Sequence, residues 1–154
     1  RRWLMFYGKV IESSKGSLSL DKAQQFIASE KCGASLFFIG TVRNHNNNKN
    51  VTGITYDSHD AMVEKSFKEI FEEASKKLTI EHPAVYIEHA KGYIPLGGLS
   101  IIIAVAAKHR SQAYDLSRYI IEEIKKKTPI WKKEHYDDNQ SKWLKGTPLI
   151  DPSS

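Results

Sequence analysis

Apolar and polar positions along this chain switch between a two-residue and a three-to-four-residue period, and the switches mark the predicted elements. Residues 5–12 are rich in apolar and aromatic side chains and predict a strand, and the polar stretch 13–17 with Gly16 predicts a turn. Ser19 offers an N-cap for a helix over 20–29, with Ala23, Phe26 and Ile27 on one face. Residues 33–42 are almost wholly apolar, with Leu36, Phe37, Phe38 and Ile39 unbroken, which predicts a central strand buried on both faces. The Asn-rich run 43–50 predicts a mobile loop before a strand over 51–58. Asp60 then caps a helix over 61–78 whose stripe is Val63, Phe67, Ile70, Phe71, Ala74 and Leu78. Its other face offers Glu64 to Lys68, Lys65 to Glu69, Glu72 to Lys76 and Glu73 to Lys77, a solvated face with no expected chemistry. Two apolar runs, 84–94 and 99–107, flank Pro95, Leu96, Gly97 and Gly98 and predict a hairpin. A helix over 111–127 carries the stripe Ala113, Leu116, Ile120 and Ile124 and stops before Pro129. Short strands over 130–135 and 142–144 enclose a polar loop, and the tail beyond Gly146 is expected to be extended.

Strands and helices alternate with a hairpin among them, so the expected fold class is α+β, with helices packed on a mixed, largely antiparallel sheet. The 154 residues fit a single domain over 1–154, with its core at about 5–146 and a tail over 147–154. The 23 basic and 18 acidic side chains leave a net charge of +5, which favours an anionic partner without naming it. Cys32 is the only cysteine, which excludes an intrachain disulfide and a cysteine-based zinc site, and its place beside Gly33 is that of a small buried hydrophobe. No apolar run approaches the length of a membrane span, so a cytoplasmic protein without membrane contact is expected. The six histidines have no ligand spacing on a helix, with His82 and His89 bracketing a strand start. No Gly-rich phosphate loop or hydrolase elbow occurs, and neither metal nor cofactor is expected.

Candidate chemistry gathers around the helix over 111–127. Lys108, His109, Arg110 and Ser111 stand where a strand hands over to that helix, so a His-Arg pair and free backbone N–H groups can face one anion of phosphate type. At the other end come Lys125, Lys126 and Lys127, then Lys132, Lys133 and Glu134 beyond Pro129. Lys126 and Lys127 suit the helix dipole and read as a solvated end. Lys125 differs, since it borders the apolar stripe, where its stem packs and its ammonium is held in place. Arg43 stands at a strand end, where a side chain can be aimed.

In this order these residues resemble a known family. Gly33 and Ala34 lead into Gly40-Thr41-Val42-Arg43-Asn44-His45-Asn46; Ala107-Lys108-His109-Arg110-Ser111 follows, then Lys125, Thr128-Pro129-Ile130-Trp131-Lys132-Lys133-Glu134 and Lys142-Trp143. The set is similar to the large, catalytic subunit of molybdopterin synthase, over about residues 5–146. The resemblance implies an α/β-hammerhead-type fold with a small strand-rich subdomain. It also implies a homodimer that becomes a heterotetramer with two copies of a small ubiquitin-like sulfur-carrier subunit ending in a Gly-Gly thiocarboxylate. The implied reaction is transfer of sulfur from that carrier to cyclic pyranopterin monophosphate, forming the dithiolene of molybdopterin. By position Thr41, Val42, Arg43, His109, Arg110, Lys125, Lys132, Lys133 and Glu134 become the substrate-binding set, with Lys125 and Lys132 as the catalytic lysines. Where the family commonly carries arginines beside and after the tryptophan, this chain has Lys142, Lys145 and Thr147.

That chemistry fits the composition, because sulfur arriving already activated requires cations rather than a cysteine nucleophile. Arginine suits a phosphate by bidentate contact, and lysine suits a reacting centre because its proton can move. One consequence is geometric. A straight helix places Arg110 and Lys125 roughly 22 Å apart, so each pocket is expected to take His109 and Arg110 from one subunit and Lys125 with Lys132 from the other. The alternative is a basic nucleic-acid-binding module, with residues 125–133 tracking phosphates and Trp131, Tyr136 and Trp143 as stacking platforms.

Overall fold

The computed structural model describes residues 5–46, 48–138 and 141–143. The order is β1 (Met5–Glu12), α1 (Leu20–Ile27), β2 (Ala34–Thr41), β3 (His45–Asn46), β4 (Lys49–Ser58), α2 (Asp60–Lys77), β5 (Ala84–Pro95), β6 (Leu99–Ala107), α3 (Arg110–Lys127), β7 (Ile130–Tyr136) and β8 (Ser141–Trp143). The expected extended tail, with Lys145 and Thr147, lies outside the described residues.

Strands run β2-β6-β5-β4-β7-β8 across the sheet, with β1 parallel to β5 and β3 paired to β4. The other pairings are antiparallel, so the sheet is mixed and largely antiparallel as the sequence led us to expect. Alternation along the strands sends successive side chains to opposite faces. Phe6 stacks on Phe71 of α2 at 5.1 Å between ring centroids, whereas its neighbour Tyr7 meets Phe26 of α1 at 5.9 Å. Helix α1 therefore covers one face, and α2 with α3 covers the other. The stripes of α2 and α3 are buried as expected, apart from Leu78, which is the half-buried C-cap of α2.

Strand β5 opens the space that matters most. One of its edges carries β6; the other belongs to β1 along 84–91 and then to β4 along 92–95. The hand-over falls at Gly92, whose φ of +94° suits glycine and whose missing side chain leaves room for the Ser13 hydroxyl. Beyond it β4, β7 and β8 form a strand-rich lobe, and a hollow remains between that lobe and α3.

Four expectations need correction. Strand β2 is an edge strand, not a central one: Phe37 and Ile39 are 37 % and 41 % exposed because α1, on their face, covers β5 and β6, and Phe38, 37 % exposed on the other face, opens onto the hollow beside α3. An unbroken apolar run fits a doubly buried strand and an uncovered edge equally well. The Asn-rich stretch contains the β3–β4 hairpin, with Asn48 at a φ of 62° that asparagine tolerates. Helix α2 is capped by the backbone of His59, while Asp60 binds Lys91 Nζ at 3.1 Å. Of the ion pairs expected on α2, Lys65 with Glu69 forms at 3.9 Å, but Glu64 accepts from the Val10 backbone N–H and Glu73 from Lys127, because neighbouring elements offer closer donors.

Candidate functional site

The hollow beside α3 is an open cavity of about 270 Å³ whose lining includes Thr41, Arg43, Tyr56, His89, Ser100, Lys125, Lys132 and Glu134. Each element supplies its residue for a local reason. On β7, Lys132 and Glu134 alternate with Trp131 and Lys133, so the first pair shares the inward face. Lys132 stands opposite Tyr56 on β4. Lys125 comes from the last turn of α3, half-buried beside the core residue Ile124. The register of β2 against β6 shifts between Gly40 and Thr41, a bulge that re-aims the strand end toward the cavity. A Cβ on Gly40 would stand 2.7 Å from Ile101 Cγ2, so the close approach of β2 at this point requires glycine.

Three cationic side chains thus share one cavity with one buried carboxylate. Glu134, 3 % exposed, accepts from the Tyr136 hydroxyl at 3.1 Å. Burial holds the Tyr56 hydroxyl above the usual phenol range; a hydrogen bond with Ser100 partly offsets this, and the charge of Glu134 adds to it.

The remaining expected site residues lie elsewhere in the chain. His109 caps α3 and Arg110 opens it, both exposed, and the His109 backbone N–H donates to Gln112 Oε1 at 3.3 Å. Helix α3 runs unbroken between Arg110 and Lys125, so about 22 Å separates them and His109 and Arg110 do not line the cavity of their own chain. The side chain of Val42 is buried in the core, and its backbone bonds Gly97 and Gly98, which fixes the strand end before Arg43. Lys133 points to the outer face, its ammonium 5.6 Å from the Trp143 ring centroid. Lys126 and Lys127 read as expected: both bind Glu123, Lys127 also binds Glu73, and hydrogen bonds to these two carboxylates push the Lys127 ammonium up. Tyr136 is buried, so the three stacking platforms of the nucleic-acid reading do not share a surface.

His89 was missed. Its place in an apolar strand marked it only as a histidine near a strand start, whereas it lies within β5 and lines the cavity. Its Nδ1–H donates to the Ala90 carbonyl at 2.7 Å, and its ring meets the Tyr56 ring edge-on at 4.9 Å. Burial lowers its pKa from 6.5 to about 4, against the Ala90 hydrogen bond and with help from the charge of Lys132. The unfolded imidazole therefore binds a proton that the folded one refuses between these values. Its neutral burial costs nothing above pH 6.5 and costs more as pH falls toward 4, by about 3 kcal/mol in all. His89→Gln should flatten the acid side of a stability profile measured by chemical denaturation between pH 7 and 4; an unchanged slope would contradict this.

Fold and cavity together define a class: an α+β protein that gathers cations from a helix end, a strand end and a lobe strand around one open cavity. The profile described as MoaE protein matches residues 13–127. The chain is 38 % identical over 139 residues to the molybdopterin synthase catalytic subunit of Synechococcus elongatus, covering 90 % of this chain and 84 % of that one. It is 37 % identical over 132 residues to the human protein of that name, covering 86 % and 69 %. A crystal structure of molybdopterin synthase from Staphylococcus aureus superposes with a TM-score of 0.82 at 29 % identity, over 90 % of this chain and 96 % of that one. This chain belongs to the MoaE family. Among the described residues no helix is long and apolar enough to cross a membrane.

Proposed function

We propose that this chain is the catalytic subunit of a cytoplasmic molybdopterin synthase. It takes sulfur from the C-terminal glycine thiocarboxylate of a small ubiquitin-like carrier and transfers it to cyclic pyranopterin monophosphate, forming the dithiolene. The observation that carries this reading is the convergence of Arg43, Lys125 and Lys132 on one cavity, in a chain of a family whose relatives bear the synthase name. Arg43 holds the phosphate by its planar fork. Lys125 and Lys132 draw in the thiocarboxylate anion and stabilise the negative charge that develops as the cyclic phosphate opens. Thr41 and Glu134 orient the neutral part of the substrate, while Lys133, on the outer face, acts on the approaching carrier.

His109 and Arg110 complete the pocket from a second copy. The outer edge of β2 pairs with no described strand and exposes Phe37, Phe38 and Ile39. One end of β2 lies beside Lys108, where the Gly33 N–H donates to its carbonyl at 3.2 Å; the other end, at Thr41, lies at the cavity. Antiparallel pairing of two β2 edges about a two-fold axis sets the first end of one copy against the second end of the other. The strand spans roughly 25 Å, close to the 22 Å that separates Arg110 from Lys125, so His109 and Arg110 of the partner subunit reach this cavity.

Mixing the purified protein with thiocarboxylated carrier and cyclic pyranopterin monophosphate tests the function. Dithiolene product is expected, and its absence with a competent carrier would refute the reading. The nucleic-acid alternative predicts oligonucleotide binding that weakens steeply with salt.

A further inference from the structure

The sulfur-transfer chemistry leaves two buried titratable side chains of the cavity without a task, Tyr56 and His89, and of these His89 offers a neutral nitrogen acceptor. It is 2 % exposed and lines the cavity at the last residue of β5 that pairs with β6, shortly before β4 replaces β1 on the opposite edge. Because its Nδ1–H is bound to the Ala90 carbonyl, the neutral ring carries its lone pair on Nε2. Tyr56 packs edge-on against the ring and stands directly across from Lys132 in the β4–β7 register, so His89, Tyr56 and Lys132 succeed one another over three neighbouring strands. The cavity's charged and titratable groups are Arg43 after β2, Lys125 on α3, Lys132 and Glu134 on β7, and Tyr56 on β4.

We propose that His89 is a positioning residue for Lys132, its Nε2 lone pair being the acceptor toward which the ammonium turns as substrate binds. A neutral acceptor suits this task better than a second carboxylate would. It orients the ammonium by a hydrogen bond yet leaves the full positive charge for the thiocarboxylate and the opening phosphate. The neutral form persists because burial and the nearby Lys132 charge both oppose protonation, and an imidazolium here would add a fourth cation to the cluster. This assignment rests on the sulfur-transfer reading of the cavity.

Single-turnover sulfur transfer in the complete complex, with carrier and pterin saturating, tests it through a double-mutant cycle. His89→Phe keeps a ring but removes the acceptor, and should slow turnover roughly 10-fold without raising the KM for carrier, as for a reacting group displaced by part of an ångström. His89→Gln keeps an acceptor and should retain most of the rate. In a Lys132→Ala background, His89→Phe should change the rate by less than about twofold, since the group it positions is gone. An additive loss in that background would overturn the proposal and leave His89 as packing, as would a His89→Gln variant that folds normally yet is as slow as His89→Phe. If Lys132→Ala itself turns over at the unsubstituted rate, the sulfur-transfer reading of the cavity fails first and this assignment falls with it.

Discussion

Lys125→Ala and Lys132→Ala are each expected to lower dithiolene formation by about 10²- to 10³-fold while carrier binding survives. That is the order of loss when one preorganised charge facing a developing anion is removed. The two lysines differ in how they are held. Lys125 is fixed by the packed last turn of α3, and Lys132 by the alternation of β7, which sends it inward with Glu134. Neither position can be supplied by Lys126 or Lys127, because those ammonium groups already bind Glu123, with Glu73 also on Lys127, on the far side of the helix end. Lys→Arg at either place should recover only part of the rate, since a guanidinium keeps charge but does not give up its proton. The measurement is single-turnover product formation beside carrier binding by calorimetry. Unchanged turnover in either alanine variant would remove that lysine from the reaction, and loss of carrier binding alone would make the chain a docking scaffold.

The second large effect concerns two defective proteins that repair one another. Arg110→Ala and Lys125→Ala should each be nearly inactive as homodimers. When the two are co-expressed and mix freely, half of the dimers are mixed, and each mixed dimer holds one pocket with Arg110 and Lys125 both intact. Activity should therefore recover to about a quarter of the unsubstituted level. The reason lies in α3, a rigid rod whose two ends cannot reach one small molecule. No recovery, with mixed dimers shown to form, would mean that Arg110 does not serve a partner's pocket. Failure of the chain to dimerise would defeat the β2 pairing itself.

Much of this was legible in the chain. The period of the apolar residues located all three helices and most of the strands to within a residue or two, because burying one face of a regular element imposes that spacing. The place of Lys125 was legible too: a lysine bordering an apolar stripe lies where the core meets solvent, and it is half-buried there. The placement of β2 could not be read, since nothing in Leu36, Phe37, Phe38 and Ile39 says whether a helix or a second copy covers them. His89 was equally hidden, because a histidine in an apolar strand gives no sign of which residues the sheet will set beside it.

Local spacing and composition set the elements, the sign of the charge and the residues able to carry chemistry, for these need no knowledge of distant contacts. Which of those residues meet depends on how distant elements pack. Arg43, Lys125 and Lys132 come from three separate elements and share a cavity because β5 changes partners at Gly92 and the lobe folds back toward α3. The same packing sent Lys133 outward and left His109 and Arg110 at the far end of their helix. Pairing across the sheet joins residues far apart in the chain, and no local period encodes that choice.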